Sequence, residues 1–425
     1  MRTSIYTSHI QNGHRSSCNQ AEISLLVPYH LFDAIVDCLH RDFATLQSVS
    51  TVSSTFRSLA QRKIFYEVSL SIPSSTEQPN SGSAEVLLEH LAESPHLVDY
   101  VRRLNITDDG YTREMNAFTM QGDDAFIHIL SSFKYLSAII FRRRSNGVSK
   151  IIWTNLPLNM QTAILESLRC LTVVRVEILD TIEDFHLQLL VDSHALEHLR
   201  VFDLDWPRVP PSKTSPPVQK MALKSLELRE TTPFSGGKIF RFMCDPESVD
   251  LSQLTSLRVE MDPMWPSLIK ETDAFLRKVS DSLKCLHYFR PRYARRHNFD
   301  SSSTLDLSIP SHLKCFRIST NLANNGFPWL IKCLGRIPPC SRINTIKLHL
   351  NLDMHVPSYT GDIDWAVLDT LICTLHNLRS CHIYIRTTTR SILRLLGGLL
   401  PSAQSKGILR ITIWICTATQ QSLFF

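Results

Sequence analysis

Glycine is scarce in this chain, 13 of 425 residues, and that argues against loops that cradle phosphate groups with closely spaced backbone amides. The nearest approach is Gly236-Gly237-Lys238. Ile239 follows where such a loop needs Ser or Thr to meet magnesium, and no glycine stands five residues before Gly237. No GxSxG or HExxH sequence occurs. His194 and His198 are four apart without the glutamate of a zinc-protease frame, and read as surface histidines. The eleven cysteines form no CxxC pair and sit mostly in apolar runs, which reads as free thiols in a reducing compartment. No apolar run reaches the roughly 18 residues that a membrane span needs. The N-terminus, MRTSIYTSHIQNGHRSSCNQ, lacks the apolar region of a signal peptide, and residues 1–22 are expected to be disordered. Charge of either sign is also modest: 45 basic against 40 acidic residues leave +5, too little to indicate nucleic acid. Arg142–Arg144 and the run Arg290–His297 are local basic clusters, read as solvated loops, with nuclear targeting or an acidic partner as the alternative. The expectation is a non-enzyme without cofactor or metal, cytoplasmic and/or nuclear, engaging neither nucleic acid nor membrane.

What the chain does have is an apolar surplus at Leu26–Tyr66. Pro28 suits a first helical turn, where a missing N–H costs nothing. Leu31, Phe32, Ile35, Val36 and Leu39 then recur with helical spacing. Asp42 is a candidate N-cap for a second helix carrying Leu46 and Val49. Val52, Phe56, Leu59 and Ala60 form a third stripe, capped by Thr51 or Ser53. Three short helices in about forty residues hold more apolar side chains than a miniature bundle can hide, so the segment calls for a partner.

These residues resemble an F-box, most closely those of large fungal families, whose pattern runs roughly LPxELxxxIxxxL…TLxxxxxVSxxWxxxA. Val27-Pro28, Leu31-Phe32, Ile35, Leu39, Thr45-Leu46, Val52-Ser53 and Phe56 carry the resemblance. Val27 stands for the usual Leu, His30 for Glu and Phe56 for Trp. The resemblance implies a module over residues 23–66 that docks a Skp-type adaptor and, through it, a cullin. It implies Pro28, Leu31, Phe32, Ile35, Leu46, Val49, Val52 and Phe56 as the docking residues. Some of them must instead build the small core, and the sequence alone does not sort them.

Beyond residue 66, strand-like and helix-like pieces alternate. A pattern of three apolar positions, at the first, fourth and sixth residues, starts at Phe65, Val101, Leu136, Leu171, Leu199, Leu223, Leu254, Leu283, Leu313, Ile343, Leu378 and Ile408. At 43% apolar residues such a pattern also recurs by chance, so the weight lies in its near-even spacing of about thirty residues and in what fills the gaps. Helical stripes lie at Val86–Leu91, Ala125–Leu130, Ala163–Leu168, Phe185–Val191, Ile239–Met243, Leu268–Val279, Trp329–Leu334, Trp365–Leu375 and Ile392–Leu400. The whole is similar to a degenerate leucine-rich repeat. An Asn or Cys follows the strand at only Asn321, Asn351 and Cys416. The expected fold is therefore α/β: an N-terminal three-helix F-box, then an irregular leucine-rich-repeat-like solenoid over residues 67–425, with polar loops near 73–83 and 207–217. The last F-box helix is expected to run directly into the first strand. An irregular α/β domain without true repeats is the alternative.

Side chains alternate along a strand, so the residues between the apolar positions line the open sheet face. They are acidic or mixed in the middle of the chain (Asp203, Asp205, Glu227, Arg229, Arg258, Glu260) and basic or aromatic later. Arg317, Lys347, His349, Tyr384, Arg410 and Trp414, with His287 and His382 among them, are the candidate target-binding residues, suited to an acidic or phosphorylated segment. Two functions follow. One, implied by the resemblance to an F-box, is a non-catalytic substrate receptor of an SCF-type cullin ubiquitin ligase, with an unidentified target protein. The other is a repeat scaffold with a degenerate F-box that recruits no ligase.

Overall fold

The computed structural model describes residues 29–39, 42–72, 84–108, 124–143, 151–179, 182–202, 204, 220–229, 233–260, 266–289, 304–321, 326–352, 364–387, 398 and 400–415. Pro28, the N-terminal tail, the polar loops near 73–83 and 207–217, Asp203, Asp205, Cys416 and the run 290–297 lie outside them. The chain divides into two compact units, Met1–Ile151 with Asn155–Val173, and Ile152–Thr154 with Val174–Phe425.

The first unit opens with α1 (Tyr29–Cys38), α2 (Phe43–Ser50) and α3 (Ser54–Ile64). Local chemistry sets their boundaries. The Asp42 carboxylate accepts from the Thr45 N–H at 3.1 Å and from the Thr45 hydroxyl at 2.7 Å, closing the exposed start of α2. Ser53 Oγ accepts from the Phe56 N–H at 3.3 Å and starts α3. Arg62 and Lys63 in the last turn of α3 complement the partial negative charge there, and Lys63 pairs with Asp37 of α1. Two residues separate α3 from the first strand, so helix runs almost directly into sheet as the sequence predicts. Val52 is a correction. It lies in the turn between α2 and α3 rather than on the α3 stripe.

Three parallel strands follow in this unit: β1 (Glu67–Ile72), β2 (Arg103–Asp108) and β3 (Ala138–Arg143). Helices α4 (Ala84–Glu93), α5 (Asp124–Ser132) and α6 (Leu158–Arg169) pack side by side in sequence order.

Among the described residues the long sheet of the second unit holds nine parallel strands: β4 (Arg175–Leu179), β5 (His198–Phe202), β6 (Ser225–Arg229), β7 (Ser256–Glu260), β8 (Cys285–Phe289), β9 (Cys315–Asn321), β10 (Thr345–Leu352), β11 (Ser380–Thr387) and β12 (Leu409–Ile415). Each pairs with the next in sequence order. Parallel neighbours need a crossover between them. Among the described residues α7 (Pro233–Met243), α8 (Pro266–Lys278), α9 (Phe327–Gly335), α10 (Trp365–Thr374) and the short α11 (Pro401–Ser405) provide it. Phe240 of α7 and Phe275 of α8 meet at 5.2 Å between ring centroids, and Tyr288 of β8 meets Trp329 of α9 at 5.0 Å. Gly407, with φ of +68°, ends the α11 turn in the left-handed region and releases the chain into β12.

One backbone device recurs at strand after strand. The N–H groups of two successive residues both donate to a single carbonyl of the preceding strand's lead-in. Arg102 and Arg103 share Tyr66 O, Lys224 and Ser225 share Glu197 O, and Thr255 and Ser256 share Lys224 O. Lys314 and Cys315 share Lys284 O, and Arg379 and Ser380 share Asn344 O. The sharing residues sit just after the first apolar position of the pattern, so each unit registers on the one before it in the same way. That is a structural repeat, although its length varies.

All twelve expected strands are present, but three registers differ from the expectation. The inward residues near Leu171 are Val173, Val176 and Ile178, while Leu171 itself is 77% exposed. Near Leu199 they are Leu196, Leu199 and Val201, so Phe202 faces outward. Cys381 pairs with Leu409, which puts Lys406 rather than Ile408 at the start of the last unit. Phe185–Val191 forms only a short 3-10 turn, Leu187–Leu190. Asn321 and Asn351 sit within their strands as register partners rather than beyond the strand end.

Candidate functional sites

The helical module sorts its apolar residues into two sets. Val36, Leu46, Leu59 and Ala60 are fully buried, with Phe32, Leu39, Val49, Phe56 and Ile64 packed around them. Phe32 and Phe56 meet edge to face at 4.9 Å. Of the eight residues expected to dock a partner, Leu46 is therefore core, and Phe32, Val49 and Phe56 mainly support it. Leu31 (46% exposed), Ile35 (49%) and Val52 (69%) remain open. Phe43, at 41%, joins them and was not picked out by its sequence spacing.

Helix α1 is apolar on two faces. Phe32, Val36 and Leu39 turn inward, while Leu31, Ala34, Ile35 and Cys38 are exposed at i, i+3, i+4 and i+7. A helix that is apolar nearly all round is normally covered on every side. Here one apolar stripe of α1 is bare. His30, where the F-box pattern has an acid, is exposed in the first turn of the same helix.

The second site is the outward face of the second unit's sheet. In-register pairing aligns one residue from each strand into a row. It begins Glu177, Arg200, Glu227, Arg258 and continues His287, Arg317, Lys347, His382, Arg410. Its two halves differ electrostatically.

In the first half every cation has an acid. The buried Glu177 carboxylate accepts from Arg175 Nε at 2.7 Å and from Arg200 at 3.2 Å. Glu227 bridges Arg200 at 3.2 Å and Arg258 at 3.0 Å, and Arg229 meets Glu260 at 2.8 Å. Arg200 and Arg229 also lie over the Phe202 ring at 4.4 and 4.6 Å, and Arg258 lies over Phe289 at 4.3 Å. Burial holds the Arg258 guanidinium down to about 10 despite Glu227. Removing the shared carboxylate leaves Arg258 half-buried among cations, and breaking such a pair costs several kcal/mol when fully buried. Glu227→Ala is expected to lower unfolding free energy by about 2 kcal/mol, allowing for partial exposure. Urea unfolding measures it, and an unchanged midpoint would show that water already screens the pair.

In the second half, among the described residues, no acid faces the row. Arg317 lies beside Lys347, Lys347 beside His382, and His382 beside Arg410. Two residues further along the strands His349 stacks on Tyr384 at 4.4 Å, and four residues beyond Arg410 Trp414 is the register partner of Arg386. All six expected target-binding residues thus come together on one face of four adjacent strands, β9 to β12. Arg200 and Glu177, which anchor the compensated half, were not legible because the register is displaced by two residues in the strand of Glu177 and by three in that of Arg200.

The accumulated positive potential is visible in the imidazoles. Burial first, then Arg317 and Arg258, pushes His287 far below the usual histidine range. Burial, then Arg317 and Lys347, brings His349 down to about 4. Burial and Arg410 lower His382. A histidine whose folded-state value is depressed binds fewer protons folded than unfolded, so stability is retained at neutral pH and lost as pH falls below the unfolded value of 6.5. Taking His349 alone and halving for solvent screening, about 1 kcal/mol disappears between pH 7 and pH 5. The melting temperature should fall by a few degrees over that interval, and by less in His349→Gln.

Among the described residues no helix is long and apolar enough to cross a membrane, and no group of three His, Cys, Asp or Glu is placed to hold a metal ion. No family model and no curated protein sequence matches this chain.

Proposed function

We propose that the chain is a non-catalytic substrate receptor of an SCF-type cullin ubiquitin ligase. The observation that carries this reading is the bare apolar stripe of α1 together with Val52 and Phe43. It supplies what the F-box resemblance requires of residues 23–66, a hydrophobic face that a Skp-type adaptor covers. The repeating sheet supplies the other half, an open face able to choose a target. The uncompensated cations from Arg317 to Arg410, with His349, Tyr384 and Trp414, suit an acidic or phosphorylated segment of that target, because charge-assisted hydrogen bonds from Arg and Lys are among the strongest polar contacts. Ubiquitin transfer itself belongs to other subunits in this reading.

The test is affinity purification of the full chain and identification of a co-purifying Skp-type adaptor and cullin. Absence of both, with other partners retained, favours the second reading: a repeat scaffold with a degenerate F-box. The exposed His30 is the observation on that side, since an acid there in the F-box pattern is replaced by a residue that is neutral or positive.

A further inference from the structure

Cys285 opens β8 and Cys315 opens β9, and the two are register partners on adjacent parallel strands. Partners in a parallel register share a face of the sheet, about 4.8 Å apart. That separation lies inside the range a disulfide spans, roughly 4.4–6.8 Å between Cα atoms. The backbone under both is fixed by the shared-carbonyl device. Lys284 and Cys285 both donate to Thr255 O at 2.9 Å, and Lys314 and Cys315 donate to Lys284 O at 2.8 and 3.0 Å. Both thiols are free, Cys285 exposed and Cys315 half-buried.

The two thiols stand side by side on neighbouring strands, and their roles are unequal, since Cys285 is exposed and Cys315 half-buried. The neighbouring Cys315 thiol, helped by Lys347 and Lys284, holds the Cys285 thiol low. Its proximity to Cys285, reinforced by burial and opposed by Lys347 and Arg317, pushes the Cys315 thiol up. Nothing in the linear sequence announces the pair, since the two residues are thirty apart and only the repeat brings them together.

We propose that Cys285 and Cys315 form a thiol–disulfide exchange site for low-molecular-weight disulfides of the glutathione type, with Cys285 the attacking and Cys315 the resolving thiol. The Cys285 thiolate attacks one sulfur of the disulfide RSSR. The S–S bond breaks, one RS⁻ leaves and takes up a proton, and Cys285 carries a mixed disulfide. Cys315 then loses its proton and attacks the Cys285 sulfur, expelling the second RS⁻, which is protonated in turn. The balance is two protein thiols plus RSSR giving one protein disulfide plus two RSH. The disulfide is the oxidant and the two cysteines are oxidised. Lys284, Lys347 and Arg317 surround the pair with positive charge, which favours both the thiolate and an anionic thiol compound such as glutathione. The site stands independently of the proposed ligase role.

The experiment uses the full-length reduced protein, freed of reductant and exposed to oxidised glutathione at pH 7, followed by peptide mass mapping. Wild type is expected to yield a Cys285–Cys315 cross-link. Cys315→Ser is expected to stop at a glutathione mixed disulfide on Cys285, and Cys285→Ser to leave Cys315 reduced. In reduced wild type, iodoacetamide should alkylate Cys285 about tenfold faster than the exposed Cys340 or Cys38, after allowing for the lower nucleophilicity of a more acidic thiol. A wild type that forms no cross-link, or a Cys315→Ser chain whose Cys285 takes up no more glutathione than Cys340, overturns the proposal. Circular dichroism of both variants confirms that each is folded.

Discussion

Val52→Asp is expected to abolish capture of a Skp-type adaptor while the melting temperature of the chain stays where it was, and Leu31→Asp and Ile35→Asp are expected to do the same. The three positions are 69%, 46% and 49% exposed, so a carboxylate there remains in water in the free protein, and surface changes of this kind stay within about 0.5 kcal/mol. In a complex the same carboxylate is driven into an apolar contact. Fully burying a side chain the size of Val, Leu or Ile contributes about 1.5–3 kcal/mol, and an unpaired charge in its place adds a penalty of several more. Loss of affinity by a factor of at least a hundred follows. Leu46→Ala behaves oppositely. Leu46 is fully buried, and its truncation opens a cavity costing about 2–5 kcal/mol, so adaptor binding falls because the module unfolds. Phe56→Ala falls between, since Phe56 packs on Phe32 at 4.9 Å against the core. The measurement is paired: co-purification of the adaptor and thermal unfolding of each variant. Retained capture in both Val52→Asp and Leu31→Asp would sink the docking assignment, because no folding defect then stands between the substitution and the result.

That division into core and open face was beyond the sequence for a physical reason. Both faces of α1 are apolar, so the periodicity that predicts the helix does not say which stripe turns inward. The caps were legible because Asp42 and Ser53 act within three residues of themselves, and local chemistry is what a sequence displays. The twelve strands were legible because each must offer apolar residues at alternate positions to the helices behind. Register was not, at the three places where the patterns starting at Leu171, Leu199 and Ile408 lie two or three residues from the observed pairing. There a tie in hydrophobicity was broken by packing, and the charged row shifted with it. The pairing of Glu177 with Arg200, and of Cys285 with Cys315, depends on which residues of distant segments stand side by side. Only the register decides that.

Charge reversal of Arg317 and Lys347 together is expected to strip acidic or phosphorylated partners from the full-length protein and to leave the proposed Skp-type adaptor bound. The two are register neighbours near the middle of the uncompensated row, with no acid facing them among the described residues. Each hydrogen bond to a charged group contributes about 1.5–3 kcal/mol, so losing two and adding two repulsive carboxylates lowers recovery of such partners at least a hundredfold. Raising the salt concentration should weaken the wild-type interaction in the same direction, since the contact is screened. Acidity should strengthen it. His287 and His349 are held neutral at pH 7 by burial and by their cationic neighbours Arg258, Arg317 and Lys347. An arriving anion relieves that repulsion at His349 and lifts its value from about 4, so the complex takes up protons and tightens as pH falls from 6 toward 5. Reversing charge in the compensated half has a different signature. Arg200→Glu sets three carboxylates together around Glu177 and Glu227 and costs stability, with no direct loss of an anionic partner. Quantitative recovery of partners across these variants, at two salt concentrations and two pH values, separates the alternatives. If Arg317→Glu with Lys347→Glu leaves partner recovery unchanged, the basic face is an ordinary solvated sheet surface and the target is chosen elsewhere.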